Sequence, residues 1–341
     1  MRYRGRHMAI NLLRREFILA LGGMTAAWPL ASRAQQPAGM RRIGVLSSLA
    51  ETDPEAQAWD AAFRKRLVEL QWIDGRNVHI DYRWGAGSID RMQLFAKELV
   101  RLNPDVLVTI STPATAALQA ETRTIPIVFA WVSDPVGSRF VSSLANPGGN
   151  ITGFINIEAS VIGKWLTLMR EIAPQVSRIG FLFNPQTAPF AQYYLYTFRS
   201  AAAALAIEAI DAPVHSTEEV EAFMTKLGRE AGAGLVIMSD TSMNVYRKTI
   251  YSLAERYRLP TIYPYRFFVT EGGLMSYGID VADLLRGAAS YVDRILRGEQ
   301  PSKLAVQQPT KFELVINAKT AKALGLNIPA TLLATADEVI E

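Results

Sequence analysis

The sequence predicts an α/β fold of two similar halves, each built from parallel βαβ units. From residue 41 onwards, short apolar, β-branched segments alternate with helical patterns, which is the order of parallel βαβ units. Residues 144–154 (LANPGGNITGF) interrupt this alternation with a cluster of Gly, Pro and Asn. The chain of 341 residues is long enough for about two domains of roughly 150 residues each. We therefore expect one lobe on each side of the interruption.

The first half of the chain is predicted to hold four strands and three helices. The first helix starts at Asp53 and Pro54, and apolar residues then recur at helical spacing until Gly75. A short helix is predicted to start within 111–118 (STPATAAL), directly after a buried strand. The four strands are 41–48, 77–84, 105–110 and 125–132, and the remaining helix is 89–102.

The alternation resumes after the interruption and predicts a second lobe of the same kind. The last predicted helix, 283–298, is long and amphipathic. The other helices are 161–173, 190–205 and 244–257, and the strands are 177–183, 234–240, 259–264 and 273–278.

Residues 1–34 have the pattern of an export signal peptide. Arg14 and Arg15 precede an apolar run of about 15 residues, shorter than the roughly 20 that span a membrane. Ser32 and Ala34 are small residues at the positions that a signal peptidase reads, so cleavage is expected after Ala34. The letters RREF resemble a twin-arginine signal, and an uncleaved anchor helix is the alternative. The mature protein is expected in the periplasm.

Removal of this segment changes the charge of the chain. The whole sequence has a formal net charge of +4, but residues 1–34 contain six Arg and one Glu. The remaining chain has 30 basic and 31 acidic residues, a net charge of −1. A basic surface for nucleic acid is therefore not expected.

The residue types also argue against catalytic, metal and cofactor sites. The sequence has no Cys, which excludes disulfides, a thiol nucleophile and Cys-ligated zinc. It has no GxSxG, no Walker lysine motif and no complete GxGxxG after a strand. His79 lies inside a predicted strand and His215 in a predicted loop. We expect a binding protein without a cofactor rather than an enzyme.

Polar side chains follow nearly every predicted strand, where ligands of open α/β sheets bind. Hydroxyl groups, amides, carboxylates and aromatic rings are all represented. These residues are Ser47, Ser48, Thr112, Thr115, Ser133, Asp134, Asn184, Asp240, Thr241, Tyr263, Tyr265, Arg266, Tyr277 and Asp280.

This set suits a zwitterion. The STPATAAL corner offers Thr112 as a helix cap, and the spare N–H groups of the helix start favour a carboxylate. An ammonium group requires a carboxylate or carbonyl oxygen, and Asp240 can supply one. Aromatic walls suit an apolar side chain.

Several motifs together resemble one branch of the ABC-transporter solute-binding proteins, the family that includes tryptophan- and phenylalanine-binding members. They run in order through residues 40–330: PDVLVTISTPAT, IPIVFAWVSDPVG, NPGGNITGF, SRIGFLFNP, EGGLMSYG and KTAKALGLNIP. The resemblance implies a type I periplasmic-binding fold: two Rossmann-like lobes, each a parallel sheet with helices on both faces, joined by a three-segment hinge. It places 40–152 and 279–303 in lobe one, and 153–278 and 304–341 in lobe two. It further implies a monomer that closes around a small solute and then meets an ABC permease and its ATPase.

The resemblance also implies which residues contact the solute. It carries over Thr112, Ala114, Thr115, Ser133 and Asp134 from lobe one, with Ser47 and Ser48 from the loop after the first strand. From lobe two it carries over Asn184, Asp240 and Thr241. Where amino-acid binders of this family often have a Ser/Thr/Asp-rich turn, this chain has 263–269 (YPYRFFV). Arg266 is therefore a candidate for a second carboxylate, and Tyr263 or Tyr265 for stacking on a ring.

Alternatives remain open for these residues and for the function. Asp240 is either the ammonium partner or a helix N-cap, Asp134 either a ligand contact or a turn residue, and Arg266 either a ligand contact or a structural ion pair. A ligand sensor that signals to a membrane receptor is an alternative to an importer component. A hydrolase or racemase that uses strand-end carboxylates is a further one. A two-lobed repressor does not fit, because no helix-turn-helix precedes the first strand.

Overall fold

The alternating pattern of the sequence folds into two separate β-sheets, which define the two lobes. The structure is a computed structural model and describes residues 39–341. The expected signal peptide therefore lies outside the described residues. Within residues 39–341, no helix is long and apolar enough to cross a bilayer.

Lobe one contains a five-stranded parallel sheet in the order β2-β1-β3-β4-β5. Its strands are β1 (Arg41–Ser47), β2 (Val78–Trp84), β3 (Val106–Ile110), β4 (Ile127–Val132) and β5 (Ile151–Ile155). Three helices connect them, α1 (Pro54–Glu69), α2 (Ile89–Arg101) and α3 (Thr112–Glu121). Asp53, Ser88 and Ser111 cap these helices by accepting a backbone N–H.

Lobe two contains a seven-stranded sheet in the order β12-β11-β10-β9-β8-β6-β7, parallel except between β10 and β11. Its strands are β6 (Arg178–Phe183), β7 (Glu208–Pro213), β8 (Ala233–Ile237), β9 (Thr261–Tyr263), β10 (Met275–Gly278), β11 (Glu313–Asn317) and β12 (Glu338–Ile340). Its helices are α4 (Val161–Ile172), α5 (Ala191–Ala204), α6 (Thr217–Leu227), α7 (Thr241–Arg256) and α8 (Arg266–Thr270), with α10 (Ala318–Ala323) and α11 (Ala330–Thr335) near the C-terminus.

One helix follows the lobe-two strands in sequence but packs on lobe one. This helix, α9 (Val281–Leu296), contacts α1, β3, β4 and β5. Leu285, Ala288 and Val292 form its buried face. The Trp72 indole N–H of lobe one donates to the carboxylate of Asp293 at 2.8 Å. Lobe one is therefore built from two separate stretches of the chain.

The chain passes between the lobes near the end of β5. This strand pairs with β4 as far as Ile155, three residues beyond the boundary expected at residue 152. Gln307, on a later crossing, hydrogen-bonds the β5 backbone through Gly153 and Ile155 at 2.9 and 3.0 Å.

Gly153 has φ +154, and a Cβ there would lie 2.0 Å from the carbonyl oxygen of Phe129. Only glycine fits where β4 and β5 approach so closely.

The structure adds several elements to those predicted from the sequence. β5, β7, β11 and β12 lie in segments not identified as strands, and α6, α8, α10 and α11 were not predicted. Helix α1 ends at Glu69 rather than near Gly75. Short or edge elements such as these carry too few apolar repeats to produce a clear period.

Candidate functional site

The carboxyl ends of the central strands of both lobes meet around one small cavity. Lobe one contributes the ends of β3 and β4, and lobe two contributes the ends of β6 and β8. The cavity measures about 10 Å³, roughly the space of one water-sized sphere. Its lining residues are Ser111, Thr112, Pro113, Trp131, Ser133, Asn156, Thr187, Phe190, Ser239, Asp240 and Thr241.

The lobe-one wall contains unusual backbone conformations. Ser111 has φ 116 and ψ 161, a region that is essentially restricted to glycine, while Trp131 and Asp134 have φ 58 and φ 39. All three lie at the ends of β3 and β4. Backbone strain of this kind is retained where the surrounding structure needs a specific side-chain direction.

The helix cap at this wall is Ser111 rather than Thr112, which corrects the sequence prediction. The Ser111 hydroxyl accepts the N–H of Ala114 at 3.3 Å. Thr112 is the first helical residue, and its hydroxyl accepts the N–H of Ser133 at 3.1 Å. Thr112 thus joins the ends of β3 and β4 instead of capping α3.

The lobe-two wall is organised by the carboxylate of Asp240. Asp240 is the N-cap of α7, where it accepts the N–H of Ser242 at 3.1 Å. It also accepts the N–H of Asn184 at 2.7 Å and the hydroxyl of Thr187. Complete burial raises its pKa to about 6, although these hydrogen bonds act in the opposite direction. These three bonds leave about one of the roughly four acceptor sites of the buried carboxylate for an ammonium group.

A chain of hydrogen bonds runs from lobe one to lobe two behind the cavity. The Trp131 indole N–H donates to the Tyr265 hydroxyl at 2.6 Å, and that hydroxyl also shares a hydrogen bond with Ser239. Asn156 donates to Ser239 at 2.8 Å and accepts from Ser133 at 3.1 Å. These side chains come from both lobes and from the segment after β5. The series of hydrogen bonds can therefore form only when the two lobes are in contact.

Aromatic rings pack beside this hydrogen-bonded chain. Trp59 and Trp131 of lobe one have ring centroids 5.1 Å apart. Tyr265 of lobe two lies 5.8 Å from Trp131 and stacks on Phe267 at 5.7 Å. The Tyr265 side chain is only 1% exposed. Aromatic side chains of both lobes therefore pack against one another beside the hydrogen-bonded groups.

A larger groove opens from the small cavity towards solvent. It has a volume of about 600 Å³ and shares Thr112, Pro113 and Phe190 with the cavity. Lobe one contributes residues of α2, α3 and 134–140, and lobe two contributes residues 186–193. Pockets of this size are typical of small-molecule sites. Asp134 lines this groove, where its carboxylate also accepts the N–H of Gly137 at 2.8 Å.

The structure brings part of the predicted set together. Four predicted residues line the small cavity directly: Thr112, Ser133, Asp240 and Thr241. Ser48 is adjacent, because Thr241 donates to its hydroxyl at 3.3 Å across the lobes. Asn184 reaches the site through its bond to Asp240.

Three predicted residues support the lobe-one wall from within. Ser47 accepts the N–H of Leu49 at 3.2 Å, and Thr115 bonds to Thr109 and to the carbonyl oxygen of Ser111. Ala114 is completely buried in the core of lobe one. None of the three lines the cavity.

The structure does not bring Arg266, Tyr263 or Tyr277 to the cavity. Arg266 forms a two-point salt bridge with Glu338 at 2.7 Å and is exposed, so it has the structural role that the sequence left open. Tyr263 is buried in lobe two, where it stacks on Phe268 at 5.2 Å. Tyr277 stacks on Phe312 at 5.6 Å. The position of Arg266 therefore contradicts the ligand role considered for it and favours the structural ion pair.

Seven lining residues were not selected from the sequence. They are Ser111, Pro113, Trp131, Asn156, Thr187, Phe190 and Ser239. Ser239 directly precedes Asp240 and Ser111 directly precedes Thr112, so the strand-end rule could have included both. Asn156 directly follows β5, a strand that the sequence pattern did not predict, and Thr187 follows the NP turn, whose local pattern indicates only a turn.

The polar groups of the cavity are of the kinds that recognise a charged ligand. Among its lining residues, Asp240 is the single ionisable side chain, and hydroxyl and amide groups supply the other polar atoms. No group of three or more potential metal ligands occurs within residues 39–341. Hydroxyl groups, a helix start and a carboxylate can hold a molecule that carries both charges.

Comparisons with known proteins agree with this geometry. The family model described as ABC transporter substrate binding protein matches residues 48–340. A tyrosine-binding protein of Clostridioides difficile (strain R20291) is 26% identical over 286 residues, which are 84% of this chain and 81% of that protein.

Two solved structures have the same fold. A conserved domain protein of Vibrio cholerae is 29% identical with a TM-score of 0.82, and the match covers 88% of this chain and 99% of that one. An ABC domain from Streptococcus pneumonia, solved in complex with L-Trp, is 26% identical with a TM-score of 0.82 and the same coverage.

Proposed function

Because the chain belongs to the ABC transporter substrate binding protein family, we propose that it is the periplasmic solute-binding component of an ABC importer. Its solute is a small carboxylate-bearing molecule, either an aromatic amino acid or a related aromatic or organic acid. The solute binds in the cleft between the lobes and is enclosed by hinge closure. An inner-membrane permease with its ATPase then receives it from the monomeric binding protein.

One observation carries this proposal: polar side chains of both lobes converge on a single buried cavity. Ser133 and Thr112 lie on one side, and Asp240 and Thr241 on the other. A ligand held from both sides stabilises only the arrangement in which the lobes meet. Such a difference in affinity between two states is what shifts a hinge equilibrium towards closure.

The two walls are complementary to the two charges of an amino acid. In the first turn of α3, Pro113 has no N–H and the Ala114 N–H bonds to Ser111, so this wall offers a carboxylate the N–H of Thr112 and the helix dipole. Asp240 provides negative charge on the opposite wall, although its pKa of about 6 leaves it ionised only above that pH. The groove beside Phe190 and Pro113 is wide enough for an apolar side chain.

The size of the cavity supports a moving cleft. At about 10 Å³ it holds no amino acid in the present arrangement. The lobes must therefore separate to admit the solute. They then close around it with a larger cavity between them than in the present arrangement. The relatives that bind tyrosine or L-Trp make aromatic amino acids the first candidates.

A thermal-shift screen tests the proposal. Purified residues 35–341 are unfolded and refolded to remove bound solute, then heated with amino acids, aromatic acids and dicarboxylates. A ligand at 100 times its Kd should add about 2.7 kcal/mol to the free energy of unfolding. A panel without any hit would contradict the solute class proposed here.

Matched variants then locate the site. Thr112→Val should abolish the shift, because it removes a hydroxyl from the cavity wall. Thr167→Val is the control, since this exposed threonine on α4 bonds only to Gly163 of its own helix. Equal effects of the two variants on the ligand-induced shift would place the binding site elsewhere.

A further inference from the structure

A second connection between the lobes lies at the ends of other elements and does not line the small cavity. The guanidinium of Arg247, on α7 of lobe two, donates to the carboxylate of Asp53 at 2.8 Å. Asp53 precedes α1 of lobe one. Their side chains are only 11% and 12% exposed. This is a largely buried ion pair between the two lobes.

Arg247 also has partners within its own lobe. Its Nε donates to Glu271 at 2.8 Å, and one Nη donates to the carbonyl oxygen of Asn244 at 2.9 Å. These two contacts do not depend on lobe one. When the lobes separate, Arg247 therefore keeps a carboxylate partner and is not left as an unpaired buried charge.

Asp53 likewise has a second role that survives separation of the lobes. One of its carboxylate oxygens accepts the N–H of Glu55 at 2.9 Å and caps α1, while the other accepts from Arg247. Breaking the pair exposes Asp53 to water but leaves its helix cap intact. The contact can therefore form and break while each lobe keeps its own hydrogen bonds at these residues.

The position of the pair makes it sensitive to hinge rotation. Asp53 follows β1, which lies three strand positions from β5, where the chain leaves lobe one. At a strand spacing of about 4.8 Å this is about 14 Å from the crossing. A rotation of about 20° then moves Asp53 by about 5 Å, which breaks a direct contact.

Negative charge concentrates around Arg247 when the lobes meet. Glu55 of lobe one is partly buried, and its pKa is raised by burial and then by Asp53 and Glu271, with Arg247 acting against this rise. Asp53 and Glu271, from two lobes, therefore contact one guanidinium, and the Glu55 carboxylate lies close enough to interact with all three charges. Without Arg247, their mutual repulsion would oppose closure.

We propose that Arg247 is a positioning residue for lobe closure, acting through Asp53 of the opposite lobe. It contacts no part of the solute cavity, and it sets how much of the ligand-free protein is closed. This inference rests on the hinge closure proposed above. It goes beyond that proposal because it assigns closure energy to a contact outside the cavity.

Distance measurements between two spin labels test this without any solute. The sequence has no Cys, so cysteines introduced at Leu94 and Tyr196 are the sole labelling sites. Both residues are exposed, at 55% and 78%, on α2 of lobe one and α5 of lobe two. Neither lines the groove or the cavity. The ratio of short to long distances gives the closed and open populations.

The variants are chosen to separate charge from folding. Arg247→Gln should lower the closed-to-open ratio by about 5-fold or more, the scale of typical coupling between sites. Asp53→Asn should lower it less, because Asn keeps the helix cap and removes one of the three carboxylates. The double variant should be less open than Arg247→Gln alone, since it relieves part of the repulsion.

The control is Asp283→Asn, an exposed aspartate on α9 of lobe one that pairs with Arg286 in the same helix. It changes the net charge by the same +1 as Asp53→Asn and should leave the ratio unchanged. Melting temperatures identify variants that are merely unstable. If Arg247→Gln does not fold, Asp53→Asn carries the test by itself.

Three results would overturn the proposal. The first is an unchanged ratio in both Arg247→Gln and Asp53→Asn, even with a lower melting temperature. The second is an equal change in Asp283→Asn. The third is a parent protein that is wholly open without solute. Failure to find a solute in the thermal-shift screen would affect the proposed function but none of these distances.

Discussion

The Tyr265 hydroxyl offers a sharp test of how the cleft closes. Tyr265→Phe removes one oxygen atom and leaves the ring in its stack on Phe267. The lost oxygen accepts the Trp131 indole N–H at 2.6 Å and shares a hydrogen bond with Ser239. Trp131 is 3% exposed, so in the closed cleft its N–H would be left without a partner. When the lobes separate, water can satisfy it.

The expected magnitude follows from this difference between the two states. A buried polar group without a hydrogen bond costs about 1–3 kcal/mol. With the proposed hinge closure, the cost falls on the closed state alone and subtracts from the free energy of solute binding. At 1.4 kcal/mol per tenfold change, the Kd should rise by about 5- to 150-fold.

Isothermal titration with a solute from the thermal-shift screen measures this change. Tyr263→Phe is the matched control, since it removes the same atom from a buried tyrosine whose ring neighbours, Phe268 and Tyr251, all belong to lobe two. Its Kd should stay within about twofold of the parent value, because no contact between the lobes is lost.

The reasoning fails if Tyr265→Phe binds with the parent Kd. It also fails if both tyrosine variants weaken binding equally. In either case, the Trp131–Tyr265 hydrogen bond would contribute nothing specific to closure.

Three other predictions follow from the site and from the crossing segment. Thr112→Val should lower the free energy of unfolding by about 1–3 kcal/mol, because it leaves the buried N–H of Ser133 without an acceptor; urea titration measures this. With Asp240 as the ammonium partner, an α-amino solute should bind about tenfold more weakly at pH 5 than at pH 8, since the carboxyl with a pKa of about 6 is mostly protonated at pH 5. An analogue without the amino group should show no such loss, and equal pH profiles would remove Asp240 from this role. Gly153→Ala should destabilise by about 1–3 kcal/mol, because φ +154 and a backbone oxygen 2.0 Å from the new Cβ both oppose a side chain. Gly163→Ala, in a helix with open space around it, should not destabilise.

The sequence was sufficient for the fold and for part of each cavity wall, Thr112 and Ser133 on lobe one and Asp240 and Thr241 on lobe two. Buried β-branched strands and well-capped helices are local patterns, and the carboxyl-end rule then selects Ser133, Thr112 and Asp240 without any knowledge of packing. The same rule cannot tell Ser111 from Thr112 as the cap. That choice depends on a strained φ at Ser111, which no pattern of residue types reveals.

The stretch 263–269 shows where prediction from sequence ends. Tyr263 is the last residue of β9, which is only three residues long, Tyr265 lies just beyond it, and α8 begins at Arg266. Because the backbone changes from strand to helix here, the three side chains point to different places. Tyr263 packs in the core of lobe two, Tyr265 bonds to Trp131 of lobe one, and Arg266 pairs with Glu338. Glu338 is far away in sequence, so no local signal could identify this pair.

The placement of α9 on lobe one has a consequence for how the chain folds. Lobe one's last strand ends at Ile155, but the helix that covers its β3, β4 and β5 begins at Val281, about 125 residues later. At about 5–20 residues per second, a ribosome needs about 6–25 seconds to supply that helix. During this interval, the apolar face of the lobe-one sheet lacks its cover. The first half of the chain therefore cannot complete its core by itself, and both lobes reach their native packing only after nearly all of the chain has been made.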